Sequence, residues 1–182
     1  MTLTFGGLDL TASTRRRSSA CLITDGVAYF LAPLTDDDIV EALRQASVLA
    51  IDAPLTGPPL RGHRAVDRLM IRIGFQVLPA SWPSMRALAE RAIRLTTRLS
   101  RAGVRVVETH PRSALRSSGC ENPLDLARRL GVRVERRTLN DDEADALVAA
   151  IVAMSYVRGE AAAVRDIDGE LFLLRPVCRS QR

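Results

Sequence analysis

Leu3-Thr4-Phe5-Gly6-Gly7-Leu8-Asp9-Leu10 decides the reading of this chain. Residues 3–10 read as a first strand, Gly6 and Gly7 leave room for close approach of backbone or ligand, and Asp9 stands where the strand should end. The pattern recurs along the chain. Asp52 closes Val48-Leu49-Ala50-Ile51, Glu108 closes Val104-Arg105-Val106-Val107, and Asp142 and Asp145 lie near the start of the last long apolar helix pattern. Strand ends that share a sheet edge can converge. Carboxylates gathered there repel one another unless protons or divalent cations are present, so a metal-dependent hydrolase is the first expectation.

Outward from this stretch, Ser19-Ala20-Cys21-Leu22-Ile23 and Val27-Ala28-Tyr29-Phe30-Leu31 flank the turn signal Asp25-Gly26, which predicts a hairpin over 18–24 and 27–32. Thr35 can cap a helix over Asp36–Gln45, with Asp36, Asp37 and Asp38 favoured by the positive helix end and by solvation. The strand over 48–52 then pairs parallel to the first. Residues 53–84, broken by Pro54, Pro58, Pro59, Pro79 and Pro83, read as an insertion held over the end of that strand, with a short helix over Arg64–Ile73. A helix over Met85–Ala102 buries Leu88, Ala92, Leu95 and Leu99. Its Arg91, Arg94, Arg98 and Arg101 read as a solvated basic face, or as a phosphate-contacting one. Short helices over Arg112–Ser117 and Pro123–Leu130 follow, then an undecided stretch over 132–136. Asn140 and Glu143 make a capping box for the last helix, and a hairpin-like unit turns at Asp168-Gly169 to cover an edge or extend the structure.

Composition narrows the function classes. The 182 residues suit one domain, and 47% hydrophobic content with only 4% aromatic implies a core of Leu, Val, Ile and Ala. No apolar run is long enough to span a membrane and the N-terminus does not resemble a signal peptide, so a cytoplasmic protein is expected. The charge of +5 comes from 26 basic residues, all arginine, against 21 acidic ones. A genomic bias can account for the lack of lysine, but the sign of the balance still favours an anionic partner such as nucleic acid. Cys21, Cys120 and Cys178 are odd in number and share no C-x-x-C spacing, which predicts reduced cysteines with neither a disulfide framework nor a cysteine metal site.

The order of three antiparallel strands, then helix, strand, helix, strand, helix resembles the ribonuclease-H-like fold. More specifically, the runs Gly7-Leu8-Asp9-Leu10-Thr11-Ala12, Ile51-Asp52-Ala53-Pro54-Leu55, Arg64-Ala65-Val66-Asp67-Arg68, Val107-Glu108-Thr109-His110-Pro111 and Asp141-Asp142-Glu143-Ala144-Asp145-Ala146 resemble domain-of-unknown-function family 429, a family of predicted nucleases. The resemblance covers roughly residues 3 to 157. It implies an α/β, ribonuclease-H-like mixed five-stranded sheet flanked by helices, in a single domain over 1–182 with the insertion 53–84 after the fourth strand and a short C-terminal extension over 158–182. It also places Asp52 opposite Asp9. An aspartate there departs from the glutamate of the Holliday-junction-resolvase branch, so junction specificity does not follow.

The candidate metal ligands are Asp9, Asp52, Asp142 and Asp145, for Mg²⁺ or Mn²⁺. Asp9 could equally cap the turn into Thr11 and Ser13, and Asp52 could serve the turn into Ala53-Pro54. Asp142 and Asp145, three apart, share a helix side, with Asp141 and Asp145 as the competing pair. Glu108 could complete the metal shell, orient Arg64 or Arg112, or bind a substrate group. His110 could shuttle a proton to a leaving oxygen. Arg64 and Arg112 are candidates for a phosphate clamp, and Arg64 could instead pair with Asp67. These residues predict two-metal hydrolysis of phosphodiester bonds in DNA or RNA. Two other readings compete: a nucleotide-dependent phosphotransferase built on Gly6-Gly7-Leu8-Asp9 and Thr11, and a noncatalytic module that binds nucleic acid or protein. A homodimer is left open.

Overall fold

A computed structural model describes residues 3–178, so the last four residues of the expected C-terminal extension lie outside the described residues. Seven strands form one sheet in the order β3-β2-β1-β4-β5-β7-β6. The strands are β1 (Thr4–Asp9), β2 (Ser19–Thr24), β3 (Val27–Leu31), β4 (Val48–Asp52), β5 (Arg105–Thr109), β6 (Ala161–Asp166) and β7 (Gly169–Leu174). The helices are α1 (Asp36–Leu43), α2 (Ala65–Arg72), α3 (Pro83–Arg101), α4 (Pro111–Ser117), α5 (Pro123–Arg129) and α6 (Asp141–Val157).

The expected hairpin forms because Asp25 and Gly26 take φ of 51° and 73°, the left-handed pair that matches strand twist in a two-residue turn. The helical connection through α1 brings β4 parallel to β1, and β5 pairs parallel to β4, as the crossover rule requires. The expected five strands become seven. The C-terminal hairpin β6–β7 does not merely cap an edge: Phe172 pairs with Thr109, and both strands extend the sheet beyond β5.

Side chains alternate between two apolar layers, as they must on a pleated sheet. Leu8, Leu22, Leu49 and Ile51 pack with α1 and α3 through Ile39, Leu43, Leu95 and Leu99. Cys21, Ile23, Val48, Ala50 and Val107 pack on the other face, where α6 lies across β1, β2 and β4. Gly7 lets that helix approach. A Cβ on Gly7 would fall 2.1 Å from the Ala146 carbonyl oxygen and 2.2 Å from the Ala150 nitrogen. Facing small residues thus set α6 directly on the strand that ends in Asp9.

Two charge expectations change. Arg91 is not solvated but only 1% exposed, and its Nε donates to Asp36 at 2.8 Å. The acidic triplet of α1 is shared out accordingly: Asp36 pairs with Arg91, Asp37 with Arg98, and Asp38 completes the capping box with Thr35. The cysteine expectation is also corrected. Cys120 and Cys178 are joined by a disulfide across 58 residues, and Cys21 is free and buried. Pairing of β7 beside β5 returns the chain to the end of α4, where the Val177 and Cys178 N–H groups both donate to the Ser118 carbonyl, a long-range return that spacing alone does not reveal.

Candidate metal centre

Asp9 ends β1, Asp52 ends the neighbouring β4, and both share strand parity with Gly7 and Ala50, the residues beneath α6. Asn140 fixes the first turn of α6 through the expected capping box with Glu143. Asp145 therefore sits one turn into the helix with its side chain 19% exposed, while Asp142 is on the exposed rim. The acids lie where two depressions meet. One is a cavity of about 190 Å³ walled by Val77, Leu78, Ala80 and Met85 of the insertion and its border. The other is an open groove that adds Asp142, Asp145, Arg112 and Arg116.

The electrostatics show that the acids sense one another. Burial, followed by Asp142 and Asp145, pushes the Asp9 carboxyl up to about 7, with Arg112 opposing. Burial, then Asp9 and Asp145, holds Asp52 well above the carboxylate range. Asp145 is also raised, chiefly by burial, against the pull of Arg112, whose Nε lies 3.5 Å from Asp145 Oδ2. Arg112 is a weak counter-ion there, since its side chain is 74% exposed and water screens it.

This donor set fits a hard divalent cation. It offers carboxylate oxygens and no thiolate, and the cation paired with Asp145 is the exposed Arg112. The carboxylates are spread rather than closed up. Among the described residues, the only three potential ligand atoms within 4.8 Å of one another belong to Cys120, Asp125 and Cys178, and both those sulfurs are in the disulfide.

Glu108 and Arg64 line the same cavity as Asp9 and Asp52 but are engaged with each other. In register, Glu108 pairs with Ile51 and Thr109 with Asp52, so alternation turns Glu108 away from the Asp9–Asp52 face. Of its open roles, Glu108 takes that of orienting Arg64. Arg64 Nη2 donates to Glu108 Oε1 at 2.5 Å and to Asp67 Oδ1 at 2.7 Å, while Nη1 donates to Glu108 Oε2 and to Thr56 Oγ1, both at 3.0 Å. The Arg64 side chain is 3% exposed and all its guanidinium donors are engaged, which makes it a structural hub of this region. Burial raises the Glu108 pKa, while Arg64 and the Leu55 N–H pull it down.

His110 does border the acids and caps α4, its Nδ1 accepting from the Ser113 N–H at 3.3 Å. Burial, followed by Arg112, lowers its pKa and favours the neutral ring. Asp168 is a contributor that the sequence reading saw only as a turn residue. Its carboxylate accepts from the Ala65 and Val66 N–H groups and so caps α2 across 103 residues. No local signal marks such a remote cap.

Two solved structures show the same architecture. RuvC from Thermus thermophilus in complex with a Holliday junction substrate matches with a TM-score of 0.54 at 12% identity, over 93% of this chain and 99% of that one. A further Thermus thermophilus RuvC structure matches with a TM-score of 0.51 at 12% identity, over 93% of this chain and all of the other. The fold is ribonuclease-H-like. No protein-family model matches the sequence and no curated protein does, so the expectation of a ribonuclease-H-like fold stands without support for family 429 in particular. Among the described residues no helix is long and apolar enough to cross a membrane.

Proposed function

We propose that this chain is a divalent-metal-dependent nuclease that hydrolyses phosphodiester bonds of DNA or RNA at the Asp9–Asp52–Asp145 cluster. Convergence of partly buried carboxylates carries the reading: Asp9, Asp52 and Asp145 arrive from β1, β4 and α6 to line one groove with Asp142, burial raises the pKa of all three, and the cation that opposes it is the exposed Arg112. The likeness in fold to a RuvC structure holding a Holliday junction substrate supports nucleic acid as the substrate class. The resemblance of the ordered motifs to family 429, a family of predicted nucleases, is consistent with the same assignment.

When bound, Mg²⁺ or Mn²⁺, as one ion or a pair, would supply Lewis-acid activation of water and stabilise charge on the phosphoryl group. Asp9, Asp52 and Asp145 would hold the metal, with Asp142 reaching in from the rim. Arg112, exposed above the cluster, would grip a non-bridging phosphate oxygen without reading bases. Because His110 Nδ1 accepts from Ser113, the neutral ring carries its proton on Nε2 and donates a hydrogen bond to a phosphoryl or leaving oxygen. Glu108 and Arg64 would act at one remove, by holding the insertion through Leu55 and Thr56.

Cleavage of labelled single-stranded, duplex, hybrid and branched substrates with Mg²⁺ or Mn²⁺, against EDTA controls, tests this assignment. Divalent-dependent turnover is expected, falling about 10³-fold or more in Asp9→Asn, the equivalent of several kcal/mol of lost transition-state stabilisation. Silence on every substrate, or turnover in EDTA, would sink it.

A further inference from the structure

Beyond Asp9 the chain leaves β1 through residues 10–18, Leu10-Thr11-Ala12-Ser13-Thr14-Arg15-Arg16-Arg17-Ser18, before entering β2. This connection is fastened from within. Thr11 Oγ1 donates to the carbonyls of Ser13 at 3.0 Å and Arg16 at 3.2 Å, the Thr11 N–H donates to Ser18 Oγ at 3.2 Å, and the Arg16 N–H donates to the Ser13 carbonyl at 3.3 Å. It is also fastened from below. Arg91 rises from α3 and its Nη1 donates to the Thr11 carbonyl at 2.6 Å and the Ser13 carbonyl at 3.3 Å. Arg17 ties the far side, donating to the Ala32 carbonyl at 2.7 Å.

Burying a guanidinium is costly, and that of Arg91 is only 1% exposed, with Nη2 lacking a partner. A connection that merely joined two antiparallel strands would need no such anchor. What the anchor holds up is a pair of arginines. Arg15 and Arg16 are exposed, and neither forms an ion pair with a carboxylate among the described residues. They lie six and seven residues beyond Asp9, on the loop that continues from the strand end where Asp9 stands.

We propose that the β1–β2 loop is a preformed cradle for the sugar-phosphate backbone, with Arg15 and Arg16 gripping phosphates that flank the one at the acid cluster and Arg91 as the positioning residue beneath them. This deepens the nuclease reading and rests on it. Guanidinium forks match phosphate oxygens, and a loop ordered in advance loses less entropy on binding than a flexible one. The contact is indifferent to base sequence.

Fluorescence anisotropy of a fluorescein-labelled DNA duplex, with Ca²⁺ replacing Mg²⁺, provides the test. Arg15→Ala/Arg16→Ala is expected to weaken binding about tenfold or more at moderate salt, and to reduce the slope of log K against log salt by about 2. Arg44→Ala/Arg158→Ala removes the same charge from exposed residues at the opposite edge of the sheet and is expected to leave both nearly unchanged. Arg91→Gln is expected to weaken binding severalfold while keeping the salt slope, because both loop charges remain but are no longer held.

A loop variant that binds like the control pair overturns the cradle, and unchanged affinity in Arg91→Gln overturns its positioning role. Parallel cleavage assays in Mn²⁺ separate this from the nuclease reading. Wild-type cleavage together with a loop variant that binds like the control defeats the cradle alone. The expected binding losses in a protein that never cleaves defeat the nuclease assignment alone.

Discussion

Two carboxylate clusters sit side by side at one edge of this sheet, and they are built on opposite principles. Glu108 and Asp67 enclose the buried guanidinium of Arg64, which answers their charge with contacts of 2.5–3.1 Å. Around Asp9, Asp52 and Asp145 the cation that opposes their raised pKa values is the exposed Arg112, while burial first and neighbouring carboxylates second lift them. The first cluster is complete within the protein and holds the Pro-rich insertion in place through Leu55 and Thr56. The second is incomplete without a proton or a cation. A charge that a fold neutralises for itself is architecture, whereas one left unanswered in a cleft is a binding capacity.

The contrast breaks most sharply under exchange of function for stability. Asp145→Asn is expected to reduce divalent-dependent cleavage about 10³-fold with little loss of stability, measured by turnover and urea denaturation on the same sample. Arg64→Met should do the reverse. Removing the hub leaves Glu108 and Asp67 buried and unpaired, and urea denaturation is expected to show a loss of about 3–5 kcal/mol. Glu108→Gln added to Arg64→Met should restore part of it, and a double variant no more stable than Arg64→Met would contradict the ion-pair account.

Gly7→Ala tests how the open cluster is held. The added methyl meets backbone of α6 and not a flexible side chain, so a loss of about 1–3 kcal/mol is expected, with displacement of the helix that carries Asp142 and Asp145. Weaker Mn²⁺ binding by calorimetry should accompany it, and unaltered binding would separate helix seating from the metal site.

The smallest effect is a pH slope. Asp9 has a folded pKa of about 7 against an ordinary value of 3.8, so between those values the native state binds more protons than the unfolded chain. Its contribution is therefore fully present below about pH 4 and is lost as pH rises through 7. Metal-free protein should melt at lower temperature at pH 8 than at pH 5, and Asp9→Asn should flatten the change. Scanning calorimetry in EDTA measures both, and added Mg²⁺ should restore stability mainly at the higher pH.

Much of this architecture is written locally. The Asp25-Gly26 turn, the Asn140–Glu143 capping box and the helix caps of Thr35 and Asn140 act within a few residues, so the elements they bound are readable in order. Asp9 and Asp52 are readable too, because a carboxylate directly after an apolar strand, repeated on strands joined by a helical crossover, must reappear at one sheet edge. Glu108 closes an apolar strand by the same local rule, which left its role open between a metal shell, an arginine and a substrate group. One residue of register, which pairs it with Ile51 and not Asp52, gave it to Arg64.

The sequence by itself therefore determined the elements, their order and the acids at their ends, since strand period, turn chemistry and capping are short-range. Only the tertiary structure decided which charges meet. It sank Arg91 beneath the β1–β2 loop, returned Cys178 to Cys120 across 58 residues, set Asp168 on the N-terminus of α2, and added β7 and β6 beyond β5. Each of these depends on residues far apart in the chain whose partners are chosen by packing and register, and the physics of a carboxylate or a guanidinium is settled by its partner.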